Sequence, residues 1–144
     1  MIAIKNIREV RNDGEFDQIW AIVRSMKSKS AFIRQVEELS PSLELFLEYQ
    51  RLKKAGQWNR AAFETICVPR FLKEMHGPRA VDALNMLYQL SRKDKKIALC
   101  CFCPDEALCH RSIVAGLLQG VGADVRLDSG ADYSRYFEAW RQIQ

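Results

Sequence analysis

The stretch KIALCCFCPDEALCHRSIVAGLLQGVGADVRL, Lys96 to Leu127, constrains the fold more than any other part of the chain. Lys96 to Cys103 is short and apolar and reads as a buried strand. PDEAL is a polar loop. CHRSIVAGLLQGVG then places Ile113, Val114, Leu117 and Leu118 on one helical face, with Gly120 or Gly122 near its end. ADVRL reads as a short last strand. A strand, a helix and a strand in this order form a βαβ unit, whose strands are parallel and whose crossover is right-handed.

The rest of the chain supplies further elements of the same kind. IAIKNIREVR alternates around Ile2, Ile4 and Ile7 as a first or edge strand, and NDGEF is a turn. IWAIVRS, Ile19 to Ser25, reads as a strand buried on both faces and ending at Arg24 and Ser25, with MKSKS after it as a polar loop. AFIRQVEEL reads as a short helix. In SPSLELFLEYQRLKKAG, Ser40 or Ser42 caps a helix that puts Leu43, Phe46 and Leu47 on one face and closes at Lys53, Lys54 and Gly56. WNRAAFETICVPRFLKEMHG is helical with a break or kink at Pro69. RAVDALNMLYQL and DYSRYFEAWRQIQ are amphipathic helices. The expected fold is a small three-layer, Rossmann-like α/β domain over residues 1–144. Its mostly parallel sheet has about four strands flanked by helices.

Composition bounds the function. The chain has 144 residues, 48% of them hydrophobic, enough for a core. No apolar run reaches the roughly 18 residues of a membrane span. MIAIKNIREVRNDGEF lacks the apolar core and cleavage site of a signal peptide, so a cytoplasmic location with reduced thiols is expected. Five cysteines, four of them between Cys100 and Cys109, do not suit a disulfide framework. A net charge of +4 and a pI of about 8.9 permit an anionic ligand such as a nucleotide or nucleic acid, without requiring one. RKDKK, Arg92 to Lys96, reads as a solvated turn.

The cysteines divide by position. Cys100 and Cys101, inside the strand, and Cys67, in a helix, read as small buried hydrophobes. Cys103 and Cys109 bracket the loop at the carboxyl end of the strand, where ligands bind in open parallel sheets. Cys109, His110 and Arg111 open the next helix, whose amino end favours anions and lowers a thiol pKa. One pocket is expected from the two strand ends. In it Cys109, His110 and Asp105 are the candidate catalytic residues, with Cys109 as activated thiol or as a shaper of the anion site. Arg24, Ser25, Cys103, Glu106 and Arg111 are the candidate ligand-binding residues. Internally, Arg111 has Asp105 or Glu106 as alternative partners. Cys101, Cys103, Cys109 and His110 are also four candidate zinc ligands. Cys101 and Cys103 lack the turn of a CxxC pair and no second pair follows, so neither metal nor cofactor is assigned. A phosphatase or rhodanese loop needs an arginine six positions after its cysteine. From Cys109 that position holds Ala115, and from Cys103 the nearest candidate, Arg111, is too far.

LCCFCPDEALCHRSIVAGLL resembles the signature of the domain of unknown function 488 family: a strand ending in cysteine, an acidic loop, then Cys-His-Arg opening a helix. VEELSPSLELFLEY and WNRAAFETICVPRFLKEM are similar to its YeaO-like branch. That branch has an Asp-Arg pair after its early strand. Here Val23 precedes Arg24, so only the arginine carries over. The resemblance implies a compact α/β fold and no particular activity. Two functions follow as expectations. One is an anion pocket formed by Arg24 and the Cys-His-Arg helix start, with thiol-dependent catalysis. The other is a non-catalytic module that binds nucleic acid or protein through Tyr133, Tyr136, Phe137 and Trp140.

Overall fold

The computed structural model describes residues 1–26 and 31–143. Its centre is a sheet of five strands: β1 (Ile2–Asn6), β2 (Gln18–Ala21), β3 (Ile33–Gln35), β4 (Ile97–Cys101) and β5 (Val125–Leu127). The order is β3-β2-β4-β1-β5, and every neighbouring pair is parallel. The α/β fold is as read, with five strands in place of about four. β4 and β5 flank β1, so the crossover through helix α5 (His110–Gly120) spans one intervening strand.

The difference in strand count comes from AFIRQVEEL, read as a helix. Ile33–Gln35 is an edge strand paired with β2, and Glu37–Leu39 is a single 3-10 turn. Without β3, β2 would present an unpaired row of amides and carbonyls. Pairing across the sheet outweighs the local preference of so short a segment. β2 itself stops at Ala21, short of Arg24 and Ser25. The loop read over Met26 to Ser30 lies, from 27 to 30, outside the described residues.

The helices pack on the apolar side chains of the sheet. Ile2, Ile4, Trp20, Ile97, Leu99 and Cys101 join the large core with residues of every long helix. Ile19, Ala98 and Cys100 form a smaller core on alternate strand positions, covered by Ile7, Val10, Phe16 and Ile33. This is why β4 is buried throughout and reads as a continuous apolar run. Trp20 is fully buried, yet its indole N–H is satisfied by Gln18 Oε1 at 2.7 Å.

Helix α1 (Leu43–Lys54) is capped by Ser42, whose hydroxyl accepts from Leu45 N. Glu74 accepts from both the amide and the hydroxyl of Ser42, tying α1 to the following helix. The core side of α1 is Leu45 and Leu52; Leu43 and Leu47, from the face read in the sequence, are about half exposed. The next helix runs through α2 (Arg60–Ala62), a π-helical turn (Phe63–Cys67) and α3 (Val68–Glu74). Pro69 explains the turn. It donates no hydrogen bond and its ring crowds the carbonyl one turn back, so the chain widens: Val68 N donates to Phe63 O, five residues away. Proline therefore distorts this helix without ending it. Helix α4 (Pro78–Arg92) starts with proline in its first turn. Helix α6 (Arg135–Arg141) closes on α5, where Gly116 and Gly120 leave room for Tyr133 and Phe137; a methyl group at Gly116 would overlap the Tyr133 carbonyl. Among the described residues no helix is long and apolar enough to cross a membrane.

Candidate functional site

The carboxyl ends of β2 and β4 open into a cavity of about 640 Å³, within the roughly 300–1,000 Å³ usual for small-molecule sites. Its walls come from three sources. Val23, Arg24 and Ser25 follow β2. Leu43, Phe46, Tyr49 and Lys53 project from one side of α1. Phe63 and Phe71 come from the distorted helix. The floor is built from Cys101, Cys103, Cys109 and His110.

Local backbone brings the floor together. β4 ends at Cys101, so Phe102 and Cys103 leave the sheet. Freed from the alternation of a strand, Cys103 turns back until its sulfur is 3.8 Å from that of Cys101. The Cys103 carbonyl is held by two donors, Asn6 Nδ2 at 3.1 Å and Arg111 Nη1 at 2.7 Å. Cys109 is the extended residue before α5, and His110 is the first residue of that helix. Cys109 Sγ and His110 Nδ1 are 3.7 Å apart. One ligating atom from each of the four residues lies within 4.8 Å of all the others.

The environment fixes the chemistry of each group. His110 Nε2 is 2.7 Å from Ile22 O. A carbonyl only accepts, so Nε2 carries the hydrogen and the neutral ring presents its Nδ1 lone pair to the sulfurs. Phe71 packs edge-on against the imidazole. Burial opposes a charged His110, but attraction and hydrogen bonding to the Cys101 sulfur, attraction to Cys103 and the bond to Ile22 together raise the imidazole pKa. Hydrogen bonds from Cys103 and Cys109 hold the Cys101 thiol far below its ordinary range. The hydrogen bond to Cys101 pushes Cys103 up, and burial pushes Cys109 up. Burial, the largest cause in each case, raises Cys67, which lines the cavity from the distorted helix, to about 11 and Cys100, in the smaller core, to about 12.

Arg24, Ser25, Cys103, Cys109 and His110 meet in this one cavity. Arg24, itself partly buried, donates to Pro41 O at 3.2 Å and stands 3.8 Å from the more exposed Glu37. Arg111 lies beneath the floor and does not line the cavity. It is 4% exposed, and its Nη1 also reaches Cys109 Sγ at 3.6 Å. It pairs with neither Asp105 nor Glu106, and its Nε has no partner among the described residues. Asp105 caps the 3-10 turn Glu106–Leu108. Glu106 accepts from Ser129 and Tyr133. Both acids therefore serve the loop at some remove from the floor. Tyr133 and Tyr136, read as part of a docking face, are buried under α5, with Phe137 and Trp140 partly covered.

Sequence reasoning missed Phe46, Tyr49 and Lys53 as cavity residues. Their spacing of three and four along α1 was the available signal, because it places them on one helical side. It read Cys101 as core, and as a zinc candidate that was not assigned, since its strand position alone marks it as core. The family model described as DUF488-N3a, the active DUF488-N3 subclade, matches residues 2–122. No curated protein and no solved structure matches the chain.

Proposed function

The chain belongs to the DUF488-N3 family, and from that premise we propose that it is a small-molecule enzyme. Its substrate joins an apolar or aromatic body to one anionic group. The observation that carries this reading is the convergence of three sulfurs and an imidazole on the floor of a cavity with cationic side chains in its wall. Arg24 and Lys53 meet the anion, with Ser25 as an added donor. Phe46, Tyr49 and Phe63 receive the body, because aromatic faces take flat ligands without a directional requirement. The reacting end then lies over the floor. Cys103 is the least buried of the three floor sulfurs and the one a substrate reaches. The His110 ring beside it is oriented by Ile22. The description of the matching subclade as active supports catalysis over simple binding. A nucleoside monophosphate meets these requirements, with its base against the aromatic wall and its phosphate at Arg24.

The test is a titration of the full chain with nucleoside monophosphates and with aromatic carboxylates, read by calorimetry and by melting temperature. Binding is expected for at least one class. Arg24→Ala should weaken it by about 10–150-fold, the equivalent of the roughly 1.5–3 kcal/mol of a charged hydrogen bond, without lowering the melting temperature. A melting temperature that no anion moves, or an Arg24→Ala protein that binds as tightly as the parent, overturns the reading.

A further inference from the structure

We propose that Cys101, Cys103, Cys109 and His110 together bind a single zinc ion. Geometry carries the inference. Zinc bound tetrahedrally at roughly 2.3 Å to sulfur and 2.0–2.1 Å to nitrogen has edges of about 3.8 Å between sulfurs and about 3.6 Å between sulfur and nitrogen. The Cys101–Cys103 separation is 3.8 Å and the Cys109–His110 separation is 3.7 Å. All four atoms lie within 4.8 Å of one another, so closing the tetrahedron takes side-chain adjustment only. An iron–sulfur cluster interposes several irons and sulfides and needs its cysteines farther apart. The soft three-sulfur, one-nitrogen donor set suits zinc over calcium, magnesium or manganese.

Two surrounding features support the same assignment. The first is His110, whose other ring nitrogen donates to the Ile22 carbonyl at 2.7 Å. A metal-binding histidine almost always has such an outer partner, because it fixes the tautomer and aims the lone pair. The second is Arg111. It is buried, pairs with no carboxylate among the described residues, and points its Nη1 at Cys109 Sγ. A buried cation needs a counter-charge. Zinc with three thiolates and a neutral imidazole carries one net negative charge, and the Arg111 guanidinium balances it. CxC is a poor chelate on a continuous strand, but this strand ends between the two cysteines.

Binding exchanges thiol protons for the metal. Each S–H that becomes a ligand gives one proton to solvent, and no electron moves, so affinity falls with falling pH. The bound ion lies at the cavity floor with Cys103 on its accessible side. This goes beyond the organic-ligand reading above, and zinc is measured with no organic ligand present, so either can fail alone.

The experiment uses the full chain, reduced, reconstituted with excess zinc and freed of unbound metal. Elemental analysis should return one zinc per chain. X-ray absorption of the wild-type protein should show three sulfurs and one nitrogen at the distances above. Cobalt(II) in its place should give the intense visible bands of a tetrahedral thiolate site. Cys103→Ser should lose more affinity than the roughly 10–100-fold typical of changes outside the ligand shell. Cys100→Ser, on the adjacent strand position in the smaller core, should keep a full complement of zinc. Where Cys103→Ser fails to fold, the wild-type absorption spectrum decides. No stoichiometric zinc, a shell of oxygen and nitrogen alone, or equal zinc in the Cys103 and Cys100 variants overturns the proposal. Iron held in preference to zinc overturns the choice of ion.

Discussion

Replacing Arg111 with alanine separates a residue that builds the floor from one that touches the ligand. In the structure the side chain is buried and donates to the Cys103 carbonyl at 2.7 Å. Truncation removes two buried methylenes, about 1.6 kcal/mol at roughly 0.8 each. It also removes a charged hydrogen bond, about 1.5–3 kcal/mol. Removing the unpartnered Nε relieves an unsatisfied donor, an offset of about 1 kcal/mol. The net loss is about 2–3.5 kcal/mol. With roughly 3 °C per kcal/mol for a chain of this size, the melting temperature should fall by about 6–10 °C. The assay is calorimetry on the reduced protein, with and without zinc, beside anion titration at a temperature where both proteins are folded. The folded fraction should bind anions as the parent does, because Arg111 does not line the cavity. A variant with parental melting temperature and weakened anion binding would refute this reasoning and return Arg111 to the ligand.

Two further outcomes follow from packing and burial. Gly116→Ala places a methyl against the Tyr133 backbone carbonyl, which a flexible side chain cannot relieve; overpacking of this kind costs about 1–3 kcal/mol, so thermal unfolding should shift down by several degrees, and an unshifted transition would mean that α5 and α6 pack less closely than described. Cys67 and Cys100, with thiols raised to about 11 and about 12, should resist iodoacetamide at pH 8, where only roughly one in 10³ and one in 10⁴ is ionised. The folded chain keeps both neutral where an unfolded thiol already ionises, so their contribution to stability is intact below about pH 9 and declines as pH rises from there to about 12. Peptide mapping and a pH series of denaturant midpoints check this, and alkylation of either cysteine at the rate of a free thiol would contradict it.

What the sequence determined by itself is everything written in short-range order. Apolar runs, turn residues and the cap at Ser42 mark most of the elements, and the Lys96–Leu127 unit dictates parallel strands, because a helix returns the chain to the same end of the sheet. The candidate site was legible as far as the segments that follow two strands, with Arg24 and Ser25 after β2 and Cys103, Cys109 and His110 after β4. Tertiary structure decided the rest. β3 exists because β2 offers an edge, a condition that lies outside AFIRQVEEL. Leu43 stays half exposed and Leu45 enters the core because of where α1 docks, which helical periodicity alone leaves open by a rotation about the axis. Arg111, one residue along from His110, goes under the floor because consecutive helical residues point about 100° apart, and only the surrounding walls say which direction is the cavity. Cys101 belongs to the floor because Cys103 folds back upon it, a distance set by the end of the strand and by the donors at Asn6 and Arg111. Periodicity fixes which residues share a side of their own element; which side becomes a site depends on what another element brings to it.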